Sequence, residues 1–463
     1  MGKVLMAAFA LAFAAGPVFG TVSRDTALMG EGWKITDSTN SVAFPSAVLG
    51  YRDVFYGELG TASGAGDSYG VLNLSFGQAL VSISAGNITM RGHSMYLLNL
   101  ANVSTTPLGS VPAADVAYSN LDTDGVMAGI QTLAGADSAA GALAGSVDPD
   151  PRISVLIGME AAQSAKVAFG VEYAGKTWED SKLVGPVAGG SQSIVRKNAA
   201  SVINLVTGVG VDAGMGNQVE VGLIVGFPSF EGSSRDSAAN TLRKYESDGG
   251  WDAQFNTRLK ISDTTGKKSD TFVMFSISKA SLSGKSSGSA WTDGTKDMDG
   301  TVIALGVANN FRVTDSTMVV LAVEYATMGL NTTVVNNDYV TPDKNNFTTR
   351  QGQAWSMAPV TIGVESKVLT WLKVRMASQS SLLTSQSITA SCKNKVDGTL
   401  VSTNRKASES SSQDFTLGVE MAATDKLKLD GVLTEELLFD GPYFITGNAI
   451  ASTFGGASIT LRF

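Results

Sequence analysis

Two residue types with strong chemistry are almost missing: the chain has one cysteine and one histidine among 463 residues. Cys392 alone cannot close an intrachain disulfide or build a thiolate zinc or iron–sulfur centre. Any Ser–His or Asp–His device would have to use His93. Its neighbour Ser94 faces the opposite way on an extended strand, so the two do not readily pair. Gly284-Lys-Ser286-Ser-Gly288 matches the spacing of a nucleophile elbow but sits in a Ser/Gly stretch, not a strand-to-helix turn. Asp122-Thr-Asp124-Gly125 lacks the later ligands of a calcium loop. The expectation is a protein that is not an enzyme and carries no cofactor or metal.

Charge is scarce as well. Charged residues make up 16 %, where a soluble chain carries about a quarter. The net charge of −8 argues against nucleic acid, because phosphate binding needs clustered Lys and Arg. No apolar run reaches the roughly 20 residues of a spanning helix. The stretch Val4–Ala15 follows Lys3 and is broken by Gly16-Pro17, with Val18-Phe19-Gly20 before Thr21. It reads as a signal peptide over residues 1–20. A membrane location would therefore have to be built from strands.

What the chain has in plenty is alternation of period two. Ile153, Val155, Ile157 and Met159 alternate with Ser154, Leu156, Gly158 and Glu160. After a short connection, Val167, Phe169, Val171 and Tyr173 alternate with Ala168, Gly170, Glu172 and Ala174. The same paired unit recurs at 203–227, 251–277, 303–325, 360–376 and 415–433. Segments 177–199, 231–248, 281–299, 330–355 and 385–411 are rich in Ser, Gly, Asn, Asp and Lys, and read as long polar loops. Short turns at one end and long loops at the other is the asymmetry of outer-membrane barrels. With strands at 53–61, 68–77 and 79–89 and a final strand, the pattern predicts an all-β, antiparallel transmembrane barrel of about 14–16 strands over residues 53–463.

The two faces differ in charge. One carries Glu160, Glu172, Asp212, Glu220, Arg258, Lys260, Arg312, Glu324, Glu365, Lys373, Arg375, Glu420, Lys426, Lys428 and Asp430, and the other almost none. A Lys or Arg facing lipid at the midplane costs about 2–4 kcal/mol, so the uncharged face belongs in hydrocarbon and the charged residues line a lumen. Lipid also forbids an open sheet edge, so the sheet must close. A soluble secreted β-protein with its apolar faces packed together is the alternative. Against it stands the last strand, where Ala457, Ile459, Leu461 and Phe463 alternate with polar residues. An amphipathic strand ending in Phe resembles the signal read by the barrel assembly machinery of Gram-negative outer membranes.

Residues 25–50 do not alternate. Met29-Gly30, then Asp37 through Asn40 to Ser41, then Phe44-Pro45-Ser46-Ala47 combine turn residues with small apolar ones. This start resembles the long-chain fatty-acid and aromatic-hydrocarbon transporter family of outer-membrane barrels. There, a Met-Gly-Gly-like element, a small polar run and an aromatic-x-Asn-Pro-Ala element form a plug; Phe44 stands here where that family has Asn. The resemblance implies a plug over residues 21–52 and gated passage of a hydrophobic molecule. The residues by themselves leave open whether the segment gates the lumen or merely fills it. The segment 95–151, with Val126, Ile130 and Leu133 at helical spacing, reads as the longest external loop, lying on the rim or folding into the mouth. Three functions remain: a passive channel for small or hydrophobic solutes, a non-conducting envelope protein, and the soluble alternative.

Overall fold

Alternating side chains give each segment from Val54 onward two unlike faces, and a sheet of such segments can close only with like faces together. The structure, a computed structural model, describes residues 22–28, 33–38, 40–59, 69–86, 152–187, 190–236, 241–263, 269–288, 293–337, 347–394, 400–409, 413–424, 426–433 and 454–463. The signal-peptide reading, Met29, Gly30, His93 and the 95–151 segment lie outside them. No described helix is long and apolar enough to cross a membrane.

The described strands are β1 (Val54–Leu59), β2 (Tyr69–Phe76), β3 (Ala79–Gly86), β4 (Arg152–Ala162), β5 (Ala165–Val187), β6 (Gly190–Gly214), β7 (Asn217–Asp236), β8 (Thr241–Ser262) and β9 (Ser269–Gly288). They continue as β10 (Asp293–Arg312), β11 (Thr317–Asn337), β12 (Phe347–Leu369), β13 (Leu372–Asn394), β14 (Leu400–Glu409), β15 (Gln413–Ala422), β16 (Leu427–Leu433) and β17 (Phe454–Arg462). Chain neighbours pair antiparallel, and β1 pairs both β2 and β17, from Val54 opposite Arg462 to Leu59 opposite Ala457. The ring is therefore closed. β14 pairs one half of β13 and β15 the other, so these two segments fill a single place and the barrel has 16.

The connections between β4 and β5, β6 and β7, β10 and β11, and β12 and β13 are tight turns, all at one end. Met215 occupies the left-handed region (φ 55) between Gly214 and Gly216, where the two-residue turn needs it. At the other end, one reading of the sequence is corrected. Much of 177–199, 231–248, 281–299, 330–355 and 385–411 continues as paired strand, and β5 and β6 reach 23 and 25 residues. A spanning strand needs only about 9–11. Beyond the membrane both faces meet water, so alternation disappears while the backbone ladder runs on. Among the described residues, β1, β2, β3, β16 and β17 cover 6 to 9 residues each.

The outward face of the lower half is apolar and exposed. Phe169, Val171 and Tyr173 on β5, Phe227 on β7, Trp251 and Phe255 on β8, and Leu321, Val323 and Tyr325 on β11 are examples. On β9 the belt runs through Val273 and Ile277 and ends at Lys279, whose ammonium pairs with Asp299 at 3.5 Å on the same outer face. Trp371 and Phe463 stand at the short-turn edge. Apolar side chains in a band between aromatic edges, on a closed barrel, are the architecture of an outer-membrane barrel. A soluble protein would have packed this face against another layer, and that alternative falls here.

Candidate functional site in the barrel lumen

The chain's own N-terminal segment packs against the inward face. A six-residue helix, Val22–Ala27, touches β13, β15, β16 and β17. A single helical turn, Asn40–Ala43, leads into a 3-10 turn, Pro45–Gly50, that lies against β3 to β7. Pro45 at the start of that turn supplies its fixed φ where no backbone donor is needed. Between them, Trp33, Lys34 and Ile35 reach strands β8 to β12. Residues of one short segment therefore meet inward-facing side chains around most of the ring.

Two walls receive the segment in different ways. On the β3–β7 side, Val48 and Leu49 pack with Leu80, Leu156, Ala168, Val206 and Ile224. Each such buried aliphatic side chain contributes about 1.5–3 kcal/mol. Glycine makes the approach possible at Gly222, where an added Cβ would collide with the Ala43 carbonyl. Next to this wall, Trp33 and Phe44 pack with Phe272, Met274, Ala308 and Ala322. The Arg258 guanidinium lies over the Phe44 and Phe272 rings, 4.8 and 5.4 Å from their centroids. Its Nε donates to Glu220 at 2.8 Å, and its Nη1 donates to the Trp33 carbonyl at 3.2 Å.

The opposite wall is ionic. Arg24 donates through Nε to Glu365 at 2.9 Å and through Nη1 to Asp37 at 3.2 Å. Arg375, 1 % exposed, donates to Glu365 at 2.6 Å and also to Glu420 and Asp430. Lys373 and Lys428 each reach Glu420 at 3.3 Å. Lys34 donates to Thr361 at 3.3 Å and stands 3.7 Å from Glu324. Burial alone would lower the pKa of Arg24, but Glu365 and Asp37 outweigh it and hold the guanidinium ionised, well above its usual value. Tyr51, where the segment joins β1, has its phenol pushed well up by burial and by Asp37.

Most of the sequence-derived lumen residues take part. Glu172, Glu220, Arg258, Glu324, Glu365, Lys373, Arg375 and Glu420 face inward among the packed interior. Glu160, Asp212 and Arg312 stand exposed at the short-turn mouth, where Asp212 borders a cavity and Glu160 pairs with Arg52 at 2.7 Å. Lys260 sits near the same mouth, 3.4 Å from Asp270. Of the residues that the sequence suggests for a plug, Asp37, Asn40, Phe44 and Pro45 are buried. Ile459 and Leu461 face outward on β17, and Phe463 closes it with its N–H on the Asp53 carbonyl at 3.2 Å.

A cavity of about 270 Å³ opens beside the segment at the short-turn end, between Asn40, Ser46 and Tyr51 on one side and Lys166, Asp212 and Gln218 on the other. Sequence reasoning missed Arg24, Lys34 and Asp252. Asp252 was within reach, since Trp251, Ala253 and Phe255 alternate around it and so turn it inward.

No protein-family model matches the chain, and no curated protein matches it. Among solved structures it is similar to the Ralstonia pickettii toluene transporter TbuX, at 11 % identity over 96 % of this chain and 98 % of that one, with a TM-score of 0.34. It is also similar to the ferric yersiniabactin uptake receptor FyuA from Yersinia pestis, at 9 % identity over 89 % and 80 %, with a TM-score of 0.31. The Escherichia coli outer membrane protease OmpT matches at 10 % identity over 65 % and 96 %, with a TM-score of 0.25. None of these likenesses is close enough to carry an activity to this chain.

Proposed function

We propose that the chain is a passive outer-membrane channel for small solutes, gated by its own residues 22–51. One observation supports this most: the segment enters a closed barrel and is held on one wall by the ion pairs Arg24–Glu365 and Lys34–Glu324, a seat that exchange with water can replace. The cavity beside it marks a seam. Its lining of Lys166, Asp212, Gln218 and Asn40 suits small hydrophilic solutes better than the hydrophobic ones that the N-terminal resemblance implies. In this reading the barrel assembly machinery recognises β17 and Phe463.

Conductance in planar bilayers tests the proposal. The intact protein is expected to conduct rarely. Deleting residues 22–43, which leaves the apolar seat of 44–51 in place, is expected to give steady, discrete channels. The depth at which Arg24, Lys34 and Asp37 are buried favours a second reading, a sealed envelope protein. If the deletion variant stays silent in bilayers and its liposomes take up no solute, the channel proposal fails and the sealed one stands.

A further inference from the structure

We propose that the inner wall of β5–β9, on the long-loop side of the N-terminal segment, binds a small cation, either a divalent metal ion or the ammonium group of an amine. The register sets four residues in one lateral row: Glu172 opposite Asn204, Asn204 opposite Gly226, and Gly226 opposite Asp252. Glu172 and Asp252 are fully buried, and Asn204 is 1 % exposed. Asn204 Nδ2 donates to Glu172 Oε2 at 3.3 Å. At Gly226 an added Cβ would lie 2.7 Å from Asn204 Oδ1 and would strike the Asp252 carboxylate. Oxygens from β6 and β8 thus meet across a strand that offers no side chain to separate them.

Two further oxygens stand in the next row, where Gln254 faces Ser278. Asn256 donates to the Ala43 carbonyl at 3.2 Å, which fixes its amide, and accepts from Gln254 Nε2 at 3.1 Å. Gln254 Oε1 is therefore turned away from Asn256, on a side chain 9 % exposed, and has no donor. Ser278 Oγ, on a residue 1 % exposed, has no hydrogen-bond partner either. Orphaned buried oxygens are costly, and carboxylate, amide and hydroxyl oxygens together are what a hard cation takes as ligands.

The surrounding charge agrees. Among the inward-facing residues whose side chains are described, the Lys and Arg of β5–β9 are Lys166, Arg258 and Lys260, all close to the short turns. Arg258 is engaged with Glu220, and Lys260 with Asp270. The segment around Ala43 and Pro45, seated on Gly222 and Gly208, lies between them and the Glu172–Asp252 row.

Calorimetric titration of the folded barrel in detergent tests the site, with calcium chloride and butylammonium chloride as separate arms. Binding in at least one arm is expected, weakened about tenfold or more in both Glu172→Gln and Asp252→Asn. The responding arm identifies whether a metal ion or an amine is the ligand. Two silent arms, or binding that neither variant weakens, would overturn the site. Heat-dependent gel mobility shows which variants are folded, and the wild-type titrations decide the matter even if one variant is not. Calorimetry requires no conduction, so a negative result leaves the channel proposal standing.

Discussion

The two ends of the N-terminal segment are held by different physics. Residues 44–51 rest on aliphatic side chains of β3–β7, next to the covalent join with β1. Residues 24–37 are held by ion pairs to Glu365 of β12 and Glu324 of β11, beside the apolar contact of Leu28 and Ile35 with Val320. Apolar burial has no charge for ions to screen, whereas a buried charge is stable only while its partners stay in place. If the segment gates the lumen as proposed, the ionic end is expected to let go first, with the apolar end as the hinge.

The largest test of this contrast is Arg375→Ala. Removing that guanidinium leaves Glu365, Glu420 and Asp430 crowded in the wall, a loss of about 3–5 kcal/mol. Urea unfolding in lipid vesicles is expected to show it; a midpoint equal to wild type would mean that the ionic wall is not a structural centre.

Leu49→Ala comes next. It is expected to cost about 2–5 kcal/mol through lost burial and the cavity left behind, with bilayer conductance unchanged. Arg24→Ala should raise conductance clearly and shift the unfolding midpoint less than Arg375→Ala does, because Glu365 keeps Arg375 although Asp37 loses its guanidinium. If Leu49→Ala opens the channel and Arg24→Ala leaves it shut, the order of release is wrong.

Salt gives the smallest effect. Raising ionic strength to 1 M shortens the screening length to about 3 Å, but buried pairs are screened less than exposed ones. A modest rise in wild-type open probability is expected, and it should vanish in Arg24→Ala. A salt response of equal size in that variant would place the sensitivity elsewhere.

Much of this was legible before any coordinates. Alternation placed Glu365 and Glu420 inward from the repeated Ile362-Gly-Val-Glu365 and Leu417-Gly-Val-Glu420 strings, and Val171 and Tyr325 outward. It did not give strand length, since β5 continues to Val187 where neither face is apolar. Nor could it pair Arg24 with Glu365, which stand 341 positions apart. A charge in the sequence shows that it needs a partner without showing which one.

The amino-acid order by itself settled the faces of the wall and hence the need for closure: period-two side chains in lipid leave no other solution for unpaired backbone groups. Tertiary structure decided the rest, namely the sixteenfold ring with β14 and β15 sharing one place, the apolar and ionic seats of residues 22–51, and the meeting of Asn204 with Asp252 over Gly226. Those contacts join strands and segments far apart in the chain, and only the register of a closed sheet brings them within reach of one another.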